Sequence, residues 1–299
     1  MTNALVRDGL AIVAIVTKSS NPQQLDSMLM ELDGLAIKVF DNASLNQAEL
    51  RAVCVERGAS FVASRDNSGL AKHLNSIVAA QNHDQTKMLY LDQDSRISDK
   101  QVHALLTSVR DHEASSGSTI GLLCPSYRQL GTDHSAYSKR RLRRRVVTPI
   151  GSGSVYDLAA CREVGGFDEA LPLDMCDFDM ALRLHDGGYR VIVDQSIVVG
   201  HEVGNRGRGR GVGVAECHPP WRYYTKSRAA RRLATRHIRS HPSWVTRMLI
   251  GRCIETTRSS FATRDFAVIT EALRGFFHLE SRRVPEGILA TIVNSSKPS

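Results

Sequence analysis

The sequence predicts an α/β protein, an open and mostly parallel sheet with crossover helices, followed by a cationic helical region. Three observations predict it. Short apolar runs alternate with helix-period segments over the first 125 residues. Polar, ligand-competent residues gather where those apolar runs end. From Trp221 onward the pattern is helical, with nine Lys and Arg and no Asp or Glu between positions 217 and 254.

Taken in order, Leu10 to Val16 is a continuous apolar run, as expected of a strand covered on both faces. Pro22 to Leu32 has helical spacing, with Asn21 as its cap. Ala36 to Phe40 reads as the second strand and stops at Asp41-Asn42-Ala43-Ser44. A helix from Leu45 to Arg57 ends at Gly58. Ser60 to Ala63 is the third strand, and Asn67-Ser68-Gly69 opens a helix through Ala80. Lys87 to Leu91 is the fourth strand, running into Asp92-Gln93-Asp94-Ser95.

The middle of the chain differs. Lys139 to Arg145 holds six cations in seven residues within a loop-like stretch. Past Gly151 come short apolar runs, then a helix predicted over Asp174 to His185 and left through Gly187-Gly188. Residues 204–213 alternate Gly with Arg and form no regular element by themselves. No internal repeat is evident. The expected organisation is a ligand-binding and catalytic domain over residues 1–216 and a basic helical region over 217–299.

Composition narrows the class. Of 299 residues, 42% are hydrophobic and 23% charged, which suits a globular chain and not a disordered one. No stretch has the length and apolarity of a membrane span, and the start lacks the pattern of a secretory signal. Six cysteines without a C-x-x-C pair give neither a disulfide framework nor a zinc spacing, and they fit a reducing cytosol. Residues 1–138 carry 12 Lys and Arg against 15 Asp and Glu, while residues 139–299 carry 27 against 16. That asymmetry points to an anionic partner for the second half: phosphate, nucleic acid or a membrane surface.

Three features carry chemistry. Asp92-x-Asp94 follows an apolar strand, and two carboxylates at such a corner can share Mg²⁺ or Mn²⁺; a solvated turn has the same spelling. Asp174, Asp177 and Asp179 form a second cluster, in which Asp174 and Asp177 can share a helix face; simple helix-entry charge is the plainer account. His201 follows Ile197–Val199, where a lone histidine is also a common structural residue. The first βα turn has no G-x-G-x-x-G, so a mononucleotide or another phosphorylated ligand suits the sheet better than a dinucleotide.

These pieces occur in an order that resembles the inverting nucleotide-sugar glycosyltransferases of family 2, which have a GT-A fold. The likeness rests on Val39-Phe40-Asp41-Asn42-Ala43-Ser44, Asn67-Ser68-Gly69 and Leu91-Asp92-Gln93-Asp94-Ser95. It continues in Gly151-Ser152-Gly153-Ser154, Gly165-Gly166-Phe167-Asp168-Glu169, Asp174-x-x-Asp177-x-Asp179, Arg183, Gly188-Tyr189 and His201-x-x-Gly204. Leu-Asp-Gln-Asp-Ser and Arg222-Tyr223-Tyr224 are most similar to the rhamnosyltransferase branch. The chain departs from that branch in lacking the Asn after Tyr-Tyr-x-x-Arg and in having Leu173 where an aromatic stands.

The resemblance implies transfer of a sugar, L-rhamnose from dTDP-rhamnose in the branch named, to a hydroxyl of a glycan or lipid-linked glycan. Thr17, Asp41, Asn67 and Asp92 would bind the donor nucleotide, Asp41 its base and Asp92 its ribose. Asp94 and His201 would hold a divalent metal, Mg or Mn. Asp177 would be the general base. Gly153, Ser154, Asp174 and Asp179 would line the acceptor or sugar site. Arg206, Arg208 and Arg210 would form a phosphate-covering lid, although a solvated loop has the same composition. Expected partners are a nucleotide-sugar donor, a glycan acceptor and the inner face of the cell membrane, reached from the cytoplasm by the basic residues and by Trp221, Tyr223, Tyr224 and Trp244. A homo-oligomer interface is the alternative use of the C-terminal helices. A nucleotidyltransferase would also use Asp-x-Asp on a parallel sheet. A basic nucleic-acid-binding protein would explain the charge but not the acidic clusters, so no nucleic-acid partner is expected.

Overall fold

In the computed structural model, residues 11–80, 86–129, 148–171, 173–201, 206–208, 214–216 and 218–278 are described. The cationic run 139–145 and Arg210 lie outside them. The chain divides into two compact units, one comprising residues 1–172 and 176–202 and the other 173–175 and 203–299.

The first unit is built on an eight-stranded sheet in the order β3-β2-β1-β4-β7-β6-β8-β5. Its strands are β1 (Ala11–Thr17), β2 (Ile37–Asp41), β3 (Ser60–Ala63), β4 (Lys87–Asp92), β5 (Ser95–Arg96), β6 (Ile120–Gln129), β7 (Ser154–Asp157) and β8 (Arg190–His201). β1 pairs in parallel with β2 and β4, β2 with β3, and β6 with β8. β7 runs antiparallel between β4 and β6, and β5 antiparallel to β8. The expected α/β architecture, a mostly parallel sheet flanked by helices, is the one found.

Connecting helices are α1 (Pro22–Glu31), α2 (Gln47–Glu56), α3 (Leu70–Val78), α4 (Asp99–Ser116), α5 (Leu158–Glu163) and α6 (Cys176–Asp186). β1 is apolar to its last residue because both faces are covered, and Val13, Ile15, Val39 and Leu91 share one core with Leu25 and Leu29 of α1 and Leu105 of α4. The Asn21 side chain accepts the Gln23 and Gln24 N–H groups, so α1 begins where its cap was expected. α4 starts in a capping box formed by Ser98 and Gln101 and stops at left-handed Gly117. α2 begins at Gln47, two residues later than expected from the pattern.

One expectation about an element is corrected. The helix predicted from Asp174 begins at Cys176, because Met175 adopts a left-handed backbone (φ 66°) that no helix can include. Asp174 therefore does not share a helix face with Asp177. Within the Gly/Arg segment, β9 (Arg206–Arg208) does form a strand, paired antiparallel with β10 (Val214–Glu216); the partner supplies the hydrogen bonds that the segment lacks alone.

The second unit carries β9 and β10 with helices α7 (Pro220–His237), α8 (Pro242–Thr263) and α9 (Ala267–Phe277), the helical C-terminal region foreseen. Its packing is tightest where α9 crosses α7. A methyl group built on Gly275 would lie 2.1 Å from the Tyr224 carbonyl oxygen, a backbone atom that cannot yield. Asp174 is tied to α7, accepting from Arg222 at 3.3 Å and from the Thr225 hydroxyl at 3.1 Å. Among the described residues, no helix is long and apolar enough to cross a membrane.

Gly275→Ala should cost about 3 kcal/mol of unfolding free energy, the upper range for forced overpacking. Urea denaturation followed by circular dichroism measures it, and an unchanged midpoint would show that α7 and α9 are not in this contact.

Candidate active site

The site forms at the carboxyl ends of the strands around the β1–β4 pair, where the strand order reverses and open α/β sheets bind their ligands. Asp41 closes β2 and is 0% exposed. Its oxygens accept from the Thr17 hydroxyl (3.3 Å), the Ser44 N–H (2.9 Å) and the Gln47 amide (2.7 Å), which also reaches the Ser64 carbonyl. Asp41 and Thr17 thus stand behind the crevice wall and fix its shape, while Asn42 binds Asn67 at 2.6 Å and His73 at 3.2 Å. Burial pushes the His73 imidazole below its ordinary pKa, with Asp41 opposing.

The loops after β1 and β2 are joined across the crevice. Lys18 donates from its ammonium to the Ala43 carbonyl at 2.7 Å, and the Ser19 N–H donates to the Ser44 hydroxyl at 2.7 Å. Ser19 and Ala43 both sit in left-handed backbone conformations, which non-glycine residues hold only under constraint. The Lys18 N–H donates to the Gln93 side chain at 2.7 Å, so the Asp-x-Asp turn is part of the same assembly. Burial lowers the Lys18 ammonium from its ordinary range and Asp41 partly restores it.

Asp92 ends β4 half-buried. The Tyr90 phenol, two residues back on the same strand face, donates to one of its oxygens, and its backbone N–H donates to the Ser152 hydroxyl at 2.9 Å. Asp94 is also half-buried and makes no hydrogen bond or ion pair with the described residues. Ser95 bonds the Ser152 hydroxyl and pairs across the sheet with His201, which closes β8. The backbone therefore sets His201 opposite the residue that follows Asp94.

Residues 150–154 are the keystone. The Gly153 N–H donates to the Tyr90 carbonyl at 2.7 Å, and the Tyr127 phenol donates to the carbonyls of Ile150 and Ser152. Ser154 donates to the Ile150 carbonyl at 2.9 Å and has no exposed surface, so it shapes this loop from behind. The Gly151 N–H donates to Asp177 Oδ2 at 2.9 Å. A methyl group on Gly151 would meet the Asp177 side chain at 3.1 Å and the Tyr156 hydroxyl at 3.2 Å.

Asp177 is the second residue of α6, and its Oδ1 accepts the Phe178 N–H at 2.9 Å. Burial raises its carboxyl to about 6 and the charge of Asp92 adds to that; the Phe178 and Gly151 N–H groups act the other way. The helix terminus does not hold Asp177 near the ordinary carboxylate value, because desolvation outweighs it. At pH 7 the ionised form still leads by about ten to one.

The other acidic residues of the cluster are engaged elsewhere. Asp179 is fully buried and paired with Arg183 at 2.8 Å, whose guanidinium also reaches the Val164 carbonyl. Asp174 is held in the second unit by Arg222 and Thr225. Of the cationic residues expected to form a lid, the backbones of Arg206 and Arg208 lie in β9. A groove of about 980 Å³ along α4 and β8, lined by His103, Ser108, His112 and Asp194 among others, includes none of the carboxylates at the strand ends.

Tyr90, Ser152, Lys18 and Gln93 are contributors the sequence reading did not single out. Ser152 lay within the quoted Gly-Ser-Gly-Ser motif, and Tyr90 precedes Asp92 at the alternation that puts both on one strand face.

The sequence matches no protein-family model and no curated protein. Among solved structures, S. aureus TarS 1–349 superposes with a TM-score of 0.56 at 13% identity, covering 93% of this chain and 82% of that one. TarS 1–349 in complex with UDP gives 0.48 at 12% identity, covering 96% and 92%. A cytidylyltransferase from Leptospira borgpetersenii serovar Hardjo-bovis gives 0.41 at 11% identity, covering 62% and 76%. The first of these is a likeness of fold, and it agrees with the GT-A-like sheet and helical C-terminal region described above.

Asp179→Asn should destabilise the protein by about 3 kcal/mol by leaving a buried, partly uncompensated Arg183. Thermal unfolding of this variant beside Asp177→Asn checks it; equal stabilities would remove Asp179 from a structural role.

Proposed function

We propose that the chain is an inverting, metal-dependent glycosyltransferase that takes a nucleotide-sugar donor. The observation that supports this most is the joining of two strand-end carboxylates and one helix-start carboxylate by a single loop: Asp92 through Ser152, Asp94 beside it, and Asp177 through Gly151. Separate carboxylates for the donor and for the acceptor proton are what sugar transfer from a nucleoside diphosphate needs. A two-carboxylate hydrolase needs neither nucleotide nor metal.

In this reading the wall built on Asp41, Thr17, Asn42 and Asn67 receives the nucleoside, and Asp92, oriented by Tyr90, accepts from the ribose hydroxyls. The donor set fits a divalent ion, since Asp94 has no partner among the described residues and the backbone of His201 stands one position away across the sheet. Such an ion, Mg²⁺ or Mn²⁺, would neutralise charge growing on the departing diphosphate. Asp177 takes the proton of the acceptor hydroxyl as that oxygen attacks the anomeric carbon. The bond to the diphosphate breaks with its electron pair on the leaving group, and attack opposite that group inverts the centre. Gly151 and Phe178 hold the Asp177 carboxylate in place through their N–H groups. Gly153 and Ser154 shape the floor on which the sugar rests. The Gly/Arg segment carries Arg206, Arg208 and Arg210, cations of the sign that a diphosphate attracts. The donor we favour is dTDP-rhamnose, and the acceptor a hydroxyl of a glycan or lipid-linked glycan.

Asp177→Asn should lower turnover by about two to four orders of magnitude, the range for a lost general base, with donor affinity unchanged. Full transfer by this variant would remove Asp177 as the base. The pH profile carries a second expectation. A carboxyl raised to about 6 is protonated below that pH, so kcat should climb about tenfold per pH unit up to pH 6 and then level off. A profile that is flat between pH 5 and pH 7 would contradict this assignment.

Donor class is read from thermal shift: dTDP-rhamnose with Mn²⁺ should raise Tm, and Asp94→Asn should abolish the metal-dependent part of that shift. Stabilisation by DNA alone would overturn the reading.

A further inference from the structure

Helix α8 buries Trp244 and Val245 in its first turn, but beyond that turn its large apolar residues point outward. The buried residues near its end are Ser259 (1% exposed) and Ser260 (4%), whereas Ile250 (55%), Ile254 (47%) and Phe261 (65%) face outward. Arg247, Ile250, Ile254, Arg258 and Phe261 recur at three- and four-residue spacing and so form one stripe along the 22-residue helix. No acidic residue lies on that stripe. Glu255, the only carboxylate of α8, is turned aside into pairs with Lys226 at 2.8 Å and with Arg252. On α9 the exposed residues Leu273 and Phe277 align with Phe266 at its start in the same way.

Of the aromatic residues expected at a membrane interface, Tyr223, Tyr224 and Trp244 are buried, and Tyr223 packs with Val268 and Ala272 of α9. Trp221 is half-buried. Charge decides what these apolar stripes fit. Between positions 218 and 278 there are twelve Lys and Arg against three Asp and Glu. A two-fold contact with a second copy, centred midway between Arg247 and Arg258, would set each of them against the other across the axis. An anionic bilayer surface takes the isoleucines and phenylalanine among its acyl chains and the arginines among its headgroups.

We propose that the exposed stripe of α8 is a docking face for an anionic lipid surface, with the helix lying in the interfacial plane. The proposal stands on the second unit alone and does not depend on the transferase reading.

The test is sedimentation of the full chain with vesicles of phosphatidylcholine alone or with one third phosphatidylglycerol. The parent should pellet with the anionic vesicles and not with the neutral ones, and added salt should weaken the binding. Ile254→Glu and Phe261→Glu should each reduce the partition coefficient by about tenfold or more, and Arg247→Glu with Arg258→Glu should do the same. Ile254→Ser covers the case in which a glutamate disturbs the helix. Val55→Glu, at an exposed apolar position on α2, should bind like the parent. Equal binding by the parent and the α8 variants, or no binding by the parent, would overturn the proposal. So would light scattering that shows a parental dimer converted to monomer by Ile254→Glu.

Discussion

The hydrogen bonds of the Gly151–Ser154 loop are the constraint on which the carboxyl edge of the sheet depends. Ser152 receives the Asp92 N–H, Gly153 donates to the carbonyl of Tyr90, and Gly151 donates to Asp177. One short loop therefore fixes the end of β4 and the start of α6, elements separated by more than eighty residues of chain. Its glycines suit the geometry: Gly153 is left-handed at φ 76°, and Gly151 faces the Asp177 side chain so closely that a methyl group would push it by a few tenths of an ångström. The Tyr127 phenol, donating to two carbonyls of the loop, locks it from the β6 side.

Electrostatic differences among the carboxylates follow from that geometry. Asp41 is buried but fully supplied with donors, which gives it a shaping role. Asp177 is poorly solvated, receives backbone N–H groups alone and feels Asp92 nearby, so its proton is held more tightly. Asp94 stands at the same edge with no partner among the described residues. Asp179, fully buried, is committed to Arg183. Identical residue types have been placed in four different environments.

Much of this was legible in the sequence because it depends on local pattern. The uninterrupted apolar run of β1, the Asn21 cap and the strand-ending Asp92-x-Asp94 are all short-range signals, and each lies within a residue of where it was expected. The Ser98–Gln101 capping box of α4 was equally local and was overlooked. What could not be read was long-range. Nothing in the spelling of Asp174-x-x-Asp177 announces that left-handed Met175 keeps the helix from starting before Cys176. Antiparallel β7, slipped between β4 and β6, carries no mark of its neighbours. Burial of Tyr223 and Tyr224 depends on α9 crossing α7, which composition does not encode. The outward apolar stripe of α8 needed the structure as well, since its isoleucines and serines look the same on paper whichever side meets the core.

The central claim is that donor and base meet at the strand ends held by residues 150–154. The most direct measurement is a crystal structure of the protein with dTDP and Mn²⁺, using the manganese anomalous signal to find the ion. The account predicts the nucleoside against Asp92 and the wall built on Asp41, with the anomalous peak at Asp94. A nucleotide seated in the α4–β8 groove, or a manganese peak remote from Asp94, would contradict it.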